Sequence, residues 1–363
     1  MPIQWTINPR TQQVDYIEAS ADLLSVSAFA AGVRKTPANG AVQAILPVFL
    51  TQAHFERALP HLEGLLRTLS PGPTGRRPPP TAWLEVLPTV MNTAITLLCS
   101  EGIVNGDAAT VVLCHTHRLL LALAQHFNLW AAAAAQVRRF LTDSAARTKA
   151  ACPNLGRLLP LLCLTPNVPL RKLLPAVLTE ARDRSILWIC KEFPASVASL
   201  RAAAPAVDNA LVSNAWAATR VAKRLVMFHA LFISTAACPE NMSLERVMHG
   251  YDLLLGMPSN RLCNRMRAGV ARVLACDSHA ACFAALGLVH PGAKWQTAQL
   301  RAAWTASLRK GYHKKGMDFT KVLLLSFELQ RTLHSTSNRL LGKLVQPSCD
   351  GSQHCAGALL GRL

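Results

Sequence analysis

The segment of residues 170–196 limits the possible folds of this chain more than any other stretch. Its apolar residues recur mostly in steps of three and four, the spacing of one buried face of a helix; they are Leu170, Leu173, Leu174, Val177, Leu178, Ala181, Ile186, Trp188 and Ile189. Phe193-Pro194 marks the end, because proline cannot continue a helix. The segment therefore predicts a long, largely buried helix around which the other elements are arranged.

Helical spacing continues through most of the chain after residue 81. We predict helices over residues 82–100, 108–129 and 131–148, with Asp107 as the N-cap of the second. Few segments alternate apolar and polar residues or are rich in β-branched residues, as strands would be. The predicted fold class is therefore all-α.

The first 80 residues differ in composition from the rest. Short apolar blocks at 19–31, 42–50 and 55–69 predict two or three short helices, and the proline-rich stretch 70–80 predicts a linker. A long surface loop within one domain is the alternative. The predicted organisation is an extension over residues 1–80 including the linker, an N-lobe over 81–200, a C-lobe over 201–310 and a basic tail over 311–363.

The charge balance indicates a polyanionic partner. The chain has 38 Lys and Arg against 20 Asp and Glu, a formal net charge of +18 and a pI of about 10.0. The share of hydrophobic residues is 51%, which argues against a largely disordered protein. A positive surface on a folded domain is typical of proteins that bind nucleic acid.

The basic residues are concentrated in clusters. The first contains Arg138, Arg139, Arg147, Lys149, Arg157, Arg171 and Lys172, opposed only by Asp143. A second runs from Lys294 to Lys343, and a third comprises Arg261, Arg265, Arg267 and Arg272. A single cluster is equally well explained as a solvated face. Several clusters that converge on one groove would give sequence-independent, salt-dependent binding of phosphates.

Signatures of catalysis and of metal binding are weak. The sequence has no P-loop, no dinucleotide-binding glycine motif, no HExxH and no GxSxG, so we predict that the protein is not an enzyme and needs no cofactor. Cys114-His115-Thr116-His117 and the set Cys349, His354 and Cys355 lack a second ligand pair at zinc-finger spacing and are predicted to be incidental. The eleven cysteines are predicted to be reduced thiols of an intracellular protein. The longest uncharged runs, 36–55 and 119–137, are interrupted by polar residues, and no membrane span is predicted.

Several segments, taken in order, resemble the nucleocapsid proteins of phleboviruses and tenuiviruses, which are segmented negative-strand RNA viruses. In 170–196 the similarity lies in the Leu-x-x-Leu-Leu-x-x-x-Leu body, Trp188, Glu192 and Phe193-Pro194. Upstream it extends over 98–102 with 107–112, and over 136–139 with 147–149. Downstream it extends over 224–228, 243–247, 282–289 and 299–304. The resemblance covers roughly residues 90 to 310, and the shared order is its evidence.

The resemblance implies a two-lobed helical protein with an RNA groove between the lobes and an N-terminal arm that packs on a neighbouring copy. Such a protein would polymerise on single-stranded genomic RNA, form the template of the viral RNA polymerase, and be found in the virion and the host cytoplasm. Arg138 and Arg139 match the family's paired arginines most directly, and Lys149 follows at a matching distance. Phe140 and Trp130 are candidates for stacking on bases.

The remaining candidates rest on charge alone. On the N-lobe side they are Arg147, Arg157, Arg171 and Lys172, and on the C-lobe side Arg220, Lys223, Arg224, Arg265 and Arg267. Two other classes stay open. A cellular all-helical adaptor or scaffold that binds an acidic protein would explain the Ala and Leu content, whereas a nucleic-acid-processing enzyme should gather several acids or a His/Cys set in one pocket.

Overall fold

The computed structural model describes residues 1–8, 14–33, 41–70, 77–101, 106–203, 206–238 and 242–314. Within these ranges the protein is mostly helical. The helices are α1 (Val26–Ala30), α2 (Gln52–Leu69), α3 (Trp83–Glu101), α4 (Gly106–Phe127), α5 (Trp130–Thr142), α6 (Leu155–Leu158), α7 (Leu170–Glu192), α8 (Ser196–Arg201), α9 (Asn209–Phe232), α10 (Leu244–Leu253), α11 (Asn260–Ala275), α12 (His279–Ala285) and α13 (Gly292–Arg309). Residues 71–76 of the predicted linker and 315–363 of the predicted tail, including Cys349, His354 and Cys355, lie outside the described residues.

The N-terminal segment contains a small sheet that the sequence analysis did not predict. The predicted helical block at 42–50 was wrong because it contains strand β3, whereas α1 lies within the block at 19–31. Strand β1 (Pro2–Ile7) lies between β2 (Val14–Ala19) and β3 (Ala44–Ile45) and pairs antiparallel with both. The hairpin has Ile3 opposite Ala19 and Trp5 opposite Ile17. In β1 the residues from Ile3 to Ile7 alternate apolar and polar, whereas β2 has no strict alternation, and each strand has only six residues. The predicted helical block at 55–69 is confirmed by α2.

The sheet shares its hydrophobic core with the helices that follow. Ile3 and Ile17 belong to the same cluster of buried residues as Trp83 and Leu87 of α3. Arg118 of α4 is 5% exposed and donates hydrogen bonds from its guanidinium to the carbonyl of Phe49 (2.5 Å) and the carboxylate of Asp252 (2.8 Å). These contacts fasten the N-terminal segment to the helical body. The domain boundaries themselves stay predictions.

Helix α3 is buried on nearly every side. The segment Pro80–Cys99 is the one stretch among the described residues that is long and apolar enough to cross a membrane, and 72% of its most apolar window is buried inside the protein. It contacts β2, α4, α6 and α9. Its composition is thus that of a central core helix. In the structure α3 has the central position, around which other elements pack, that the sequence analysis predicted for residues 170–196.

Helix α7 confirms the predicted long helix and its end at Phe193. The prediction that Trp188 belongs to the buried face was wrong. Its side chain is 42% exposed, and the Lys191 ammonium lies 4.4 Å from its ring centre. The first half of α7 packs into the main cluster through Leu173 and Val177. Its second half contributes Ile186, Ile189 and Cys190 to a second, smaller cluster that includes Leu200, Leu211, Ala215, Leu300 and Ala303.

Two predicted helix limits were also wrong, for local reasons. Helix α5 ends at Thr142, six residues early, because the Asp143 carboxylate accepts from the Ala145 N–H (2.8 Å) and so turns the chain out of the helix. Helix α4 begins at Gly106, so Asp107 lies in its first turn. The Asp107 carboxylate forms an ion pair with Arg267 of α11.

Candidate nucleic-acid interface

A cleft with a volume of about 730 Å³ lies between α5 and the first half of α7. We call it the basic cleft; it is lined by Arg138, Leu141, Thr142, Arg147, Asn167, Val168, Lys172, Pro175, Ala176 and Thr179. Three of these residues are cations, and no Asp or Glu is among them. The volume lies within the range of about 300–1,000 Å³ that is usual for ligand sites.

Helix α5 places Arg138 at the cleft through its amphipathic spacing. Ala133, Val137 and Phe140 are buried and face the core. Arg138 follows Val137 on the opposite, solvent side and is exposed. Since Arg139 is exposed as well but does not line the cleft, the two adjacent arginines differ in position although they share a charge.

Arg147 is held at the cleft by the end of α5. Its Nε donates to the carbonyl of Phe140 (2.7 Å) and a terminal nitrogen donates to the carbonyl of Leu141 (2.5 Å). A cation that binds the last carbonyls of a helix is stabilised by the helix dipole. Arg147 thus has a fixed position, while part of its hydrogen-bonding capacity is already used by the protein.

The N-terminus of α7 forms the opposite wall. Pro169 precedes the helix, its first turn has no side-chain cap and no acidic residue, and Lys172 lies in this turn. Arg171 and Lys172 are both exposed. The N-terminus of a helix carries a partial positive charge, which favours anions and disfavours cations. Two cations in this first turn therefore add to a positive field that favours the binding of an anion.

A network of charged groups beneath the cleft fixes its far rim, and the sequence analysis missed it. Arg184 of α7 donates to the carbonyls of Arg147 (2.8 Å), Cys152 (2.6 Å) and Pro153 (2.9 Å), and to the carboxylate of Glu180 (2.8 Å). The loop after α5 is thereby tied to the middle of α7.

The same network reaches the end of α13. Lys310 donates to Glu180 (2.6 Å) and to Asp183 (2.7 Å), and the Tyr312 hydroxyl donates to Glu180 (2.5 Å) while it accepts from the Lys149 N–H (2.8 Å). Burial disfavours the charged Lys310 amine, but its bonds to Asp183 and Glu180 outweigh burial and raise its pKa. Burial raises the pKa of Asp183, with Lys310 acting against it. We call this group of residues the ionic joint.

The ionic joint contains two acidic residues of one helix. Glu180 and Asp183 lie together, three residues apart on one face of α7. Lys310 and Arg184 neutralise them. Two acids and two arginines within the five residues 180–184, in a chain with few charged residues, were the available signal for this network.

The other predicted site residues do not line the basic cleft. Arg139, Lys149, Arg171, Arg220 and Arg265 are exposed elsewhere on the surface. Three more are engaged by the fold: Arg157 donates to the carbonyl of Val14 (3.5 Å), Arg224 to the carbonyl of Leu274 (2.7 Å), and Arg267 to Asp107. Lys223 is half-buried and donates to Thr219.

The predicted stacking residues are core residues. Phe140 is 2% exposed, and Trp130 is half-buried and packs against the main cluster. Among the residues that the structure describes, no aromatic side chain lines the basic cleft.

The Cys114–His117 segment is likewise part of the interior. Cys114 and His117 are fully buried, and the His117 Nδ1 is 2.9 Å from the Tyr251 hydroxyl. The His115 Nε2 lies 3.3 Å from the Met257 sulfur. Burial lowers the pKa of His117 to about 3 and that of His115 to about 4, so both rings are neutral packing groups at pH 7.

Fold and cleft together define a mostly helical protein with a basic surface cleft of a size and charge suited to an anionic ligand. Compared with protein-family models, curated proteins and solved structures, the chain matches none. The resemblance to phlebovirus and tenuivirus nucleocapsid proteins therefore stays a prediction.

Proposed function

We propose that the protein binds single-stranded RNA through the basic cleft, independently of sequence. The observation that carries the proposal is the convergence of Arg138, Arg147 and Lys172, from three separate parts of the chain, on one cleft without an acidic residue. Contacts to phosphate position a nucleic acid without reading its sequence. The absence of aromatic lining residues favours contacts to the backbone over stacking on bases.

We further propose that this binding serves to coat RNA, as in a viral nucleocapsid that polymerises on its genome and presents it to an RNA polymerase in the virion and the host cytoplasm. Support comes from the formal net charge of +18 and from the collinear segments described above. All lining residues of the basic cleft lie within the predicted N-lobe, so in this proposal the cleft forms the N-lobe wall of a groove between two lobes. A self-association surface in the N-terminal 80 residues is also part of the proposal.

The adjacent arginines offer a matched test of RNA binding. Arg138→Glu places a negative charge in the cleft, whereas Arg139→Glu makes the same change beside it. We expect Arg138→Glu to weaken binding of two unrelated labelled oligoribonucleotides about equally, by roughly tenfold or more, and Arg139→Glu to have a clearly smaller effect. Fluorescence anisotropy titrations at several salt concentrations would measure both.

The salt dependence adds a second readout. Neutralisation in Arg138→Gln should reduce the slope of log affinity against log salt by about 0.7, the value for one phosphate contact on a single strand. Equal effects of the changes at 138 and 139, or unchanged slopes, would remove the cleft from the binding site.

The coating function requires its own experiment. Protein purified without nuclease is examined by its 260/280 absorbance ratio, by negative-stain imaging and by size exclusion at low and high salt. Rings or beaded filaments with nuclease-resistant RNA support the nucleocapsid. A nucleic-acid-free monomer contradicts it and favours the alternative, an adaptor whose basic cleft binds an acidic protein.

A further inference from the structure

A second cavity lies on another face of α7, enclosed by α7, α9, α12 and α13. It has a volume of about 50 Å³ and shares no lining residue with the basic cleft. Its walls are mainly apolar, formed by Leu178, Ile189, Ala215, Val226, Phe283 and Leu300 among others. One water molecule needs about 10–15 Å³ of such space, so the cavity has room for a few waters or for one tetrahedral oxyanion.

Polar groups without partners face this cavity. Arg182, His279 and Gln296 line it, and the Arg182 Nε, the His279 Nε2 and the Gln296 Nε2 are buried without a hydrogen-bond partner. Gln296 is 2% exposed and His279 is 7% exposed. Buried polar side-chain atoms in folded proteins nearly always have a partner. Three such atoms on residues that line one cavity therefore point to a polar ligand that could satisfy them.

The charge of the lining selects an anion. Arg182 and Lys223 are its cations, and no Asp or Glu is among the lining residues. Arg182 is held in place by its bond to the Gln299 side chain (3.0 Å) and by the Trp295 ring, whose centre is 5.6 Å away. Burial lowers the pKa of Lys223 to about 7. A nearby anion would favour its charged form.

His279 adds a requirement for a hydrogen-bond donor on the occupant. Burial, reinforced by Lys223, lowers the pKa of His279 to about 3, so the ring is neutral at pH 7. The backbone of Val212 acts in the opposite direction and raises this pKa, as a carbonyl that accepts from the ring does. Since the Nε2 has no partner, we assign the proton to Nδ1, the nitrogen that can serve Val212, and Nε2 then presents a lone pair. An occupant that satisfies this site must accept from several groups and also donate one O–H.

We propose that this cavity binds one hydrogen phosphate group, either as the free ion or as a phosphate monoester that retains an O–H. The Arg182 Nε, the Gln296 amide and the Lys223 ammonium donate to the phosphate oxygens, and the P–O–H donates to the His279 Nε2. Sulfate has the same size and accepts the same bonds but carries no proton at neutral pH. The site therefore discriminates between the two ions.

The test uses the full chain with Lys172→Glu, so that anions bound at the basic cleft contribute less. Inorganic phosphate and sulfate are titrated at equal ionic strength near pH 6.5, and the thermal midpoint and calorimetric heat are recorded. We expect a saturable rise in the midpoint with phosphate and at least a tenfold weaker effect of sulfate. Equal effects of the two ions, or no phosphate effect, would mean that water fills the cavity and would overturn the proposal.

Two further variants locate the binding. Gln296→Leu keeps the side-chain volume and should raise the phosphate dissociation constant at least tenfold, whereas Arg309→Gln, an exposed change on α13, should leave it unchanged. His279→Gln can present an amide donor in place of the ring lone pair and should reduce the preference for phosphate over sulfate. An undiminished phosphate effect in folded Gln296→Leu overturns the assignment.

Glycerol 3-phosphate in a parallel titration distinguishes the two sources of the phosphate group. Tighter binding of the ester assigns a phosphorylated small molecule, and tighter binding of inorganic phosphate assigns the free ion.

Discussion

Gly156 permits a close approach of α6 to the side chain of Asn92 on α3. A Cβ at this position would overlap the side-chain oxygen of Asn92 on α3. That oxygen lies 3.1 Å from the His229 Nε2, and the Gly156 N–H donates to the Asn154 side chain (2.8 Å). Any side chain at 156 would therefore displace a hydrogen-bonded pair that joins α3 to α9.

Two glycine replacements should have opposite effects on stability. We expect Gly156→Ala to lower the free energy of unfolding by about 1–3 kcal/mol through overpacking. Gly64→Ala on the exposed side of α2, where a Cβ meets nothing within 4 Å, should raise it by about 0.4–1 kcal/mol because alanine has less freedom in the unfolded chain. Urea unfolding of both variants measures this, and a stable Gly156→Ala would contradict the close approach.

His229 makes stability depend on pH. Burial lowers its pKa from 6.5 to about 3. Between these values the unfolded chain binds a proton that the folded protein does not, so stability falls as the pH falls through this window, by about 1.4 kcal/mol per pH unit for one such group. His229→Gln should reduce the slope of the unfolding free energy between pH 5.5 and 4.5 by up to that amount. The exposed His249→Gln serves as the control, and an equal slope in the two variants would refute the prediction.

At the scale of elements, the ionic joint determines how α7 meets α13 and the loop after α5. Glu180 is 1% exposed and Asp183 is 4% exposed. Removing one partner of a buried ion pair leaves a charge without compensation, which costs about 3–5 kcal/mol. The geometry of the cleft rim thus depends on Lys310, which lies 130 residues after Glu180 and close to the last described residue.

Replacing Lys310 tests this dependence. Lys310→Met should lower the free energy of unfolding by about 3–5 kcal/mol, whereas Arg309→Met, the exposed neighbour, should change it by no more than about 0.5 kcal/mol. Burial already raises the pKa of Asp183, and loss of Lys310 should raise it further. An acid with a raised folded-state pKa contributes stability in its protonated form, and this contribution is lost as the pH rises through that pKa. We therefore expect the loss of unfolding free energy in Lys310→Met to be smaller at pH 5 than at pH 8. Denaturant unfolding at both pH values provides the measurement.

Elements were predictable from sequence where local periodicity defines them, as in α3 and α7. The sheet was not, because β3 has only two residues and its pairing with Pro2 and Ile3 is made over some forty residues of chain. For the cleft, charge counting selected Arg138, Arg147 and Lys172 together with nine other residues. The three cleft residues differ from the other nine through two features of the fold. These are the turn at Asp143 and the hydrogen bonds that engage residues such as Arg224 elsewhere, and neither can be read from composition.

At the scale of the whole molecule, α7 and α9 both cross from the main hydrophobic cluster into the second one. Helix α7 contributes Val177 to the first and Ile189 to the second, and α9 contributes Phe228 and Leu211 in the same way. Two clusters that share two continuous helices cannot separate without breaking those helices.

We therefore expect the described body to unfold in a single cooperative transition. Leu173→Ala in the main cluster and Ile189→Ala in the second should each lower the same midpoint, with a loss of about 2–5 kcal/mol. Far-ultraviolet circular dichroism and tryptophan fluorescence should give coincident curves in urea. Two resolved transitions, only one of which responds to Ile189→Ala, would show that the clusters are independent.

The ionic joint also has a consequence for behaviour on heating. The hydration of charged groups becomes less favourable as temperature rises, so the cost of keeping Glu180, Asp183 and Lys310 out of water declines. The attachment of α7 to α13 should accordingly gain strength relative to its apolar surroundings in warm solution and be comparatively weak in the cold. The contribution of these buried ion pairs to stability should therefore increase with temperature over the range in which the protein is folded.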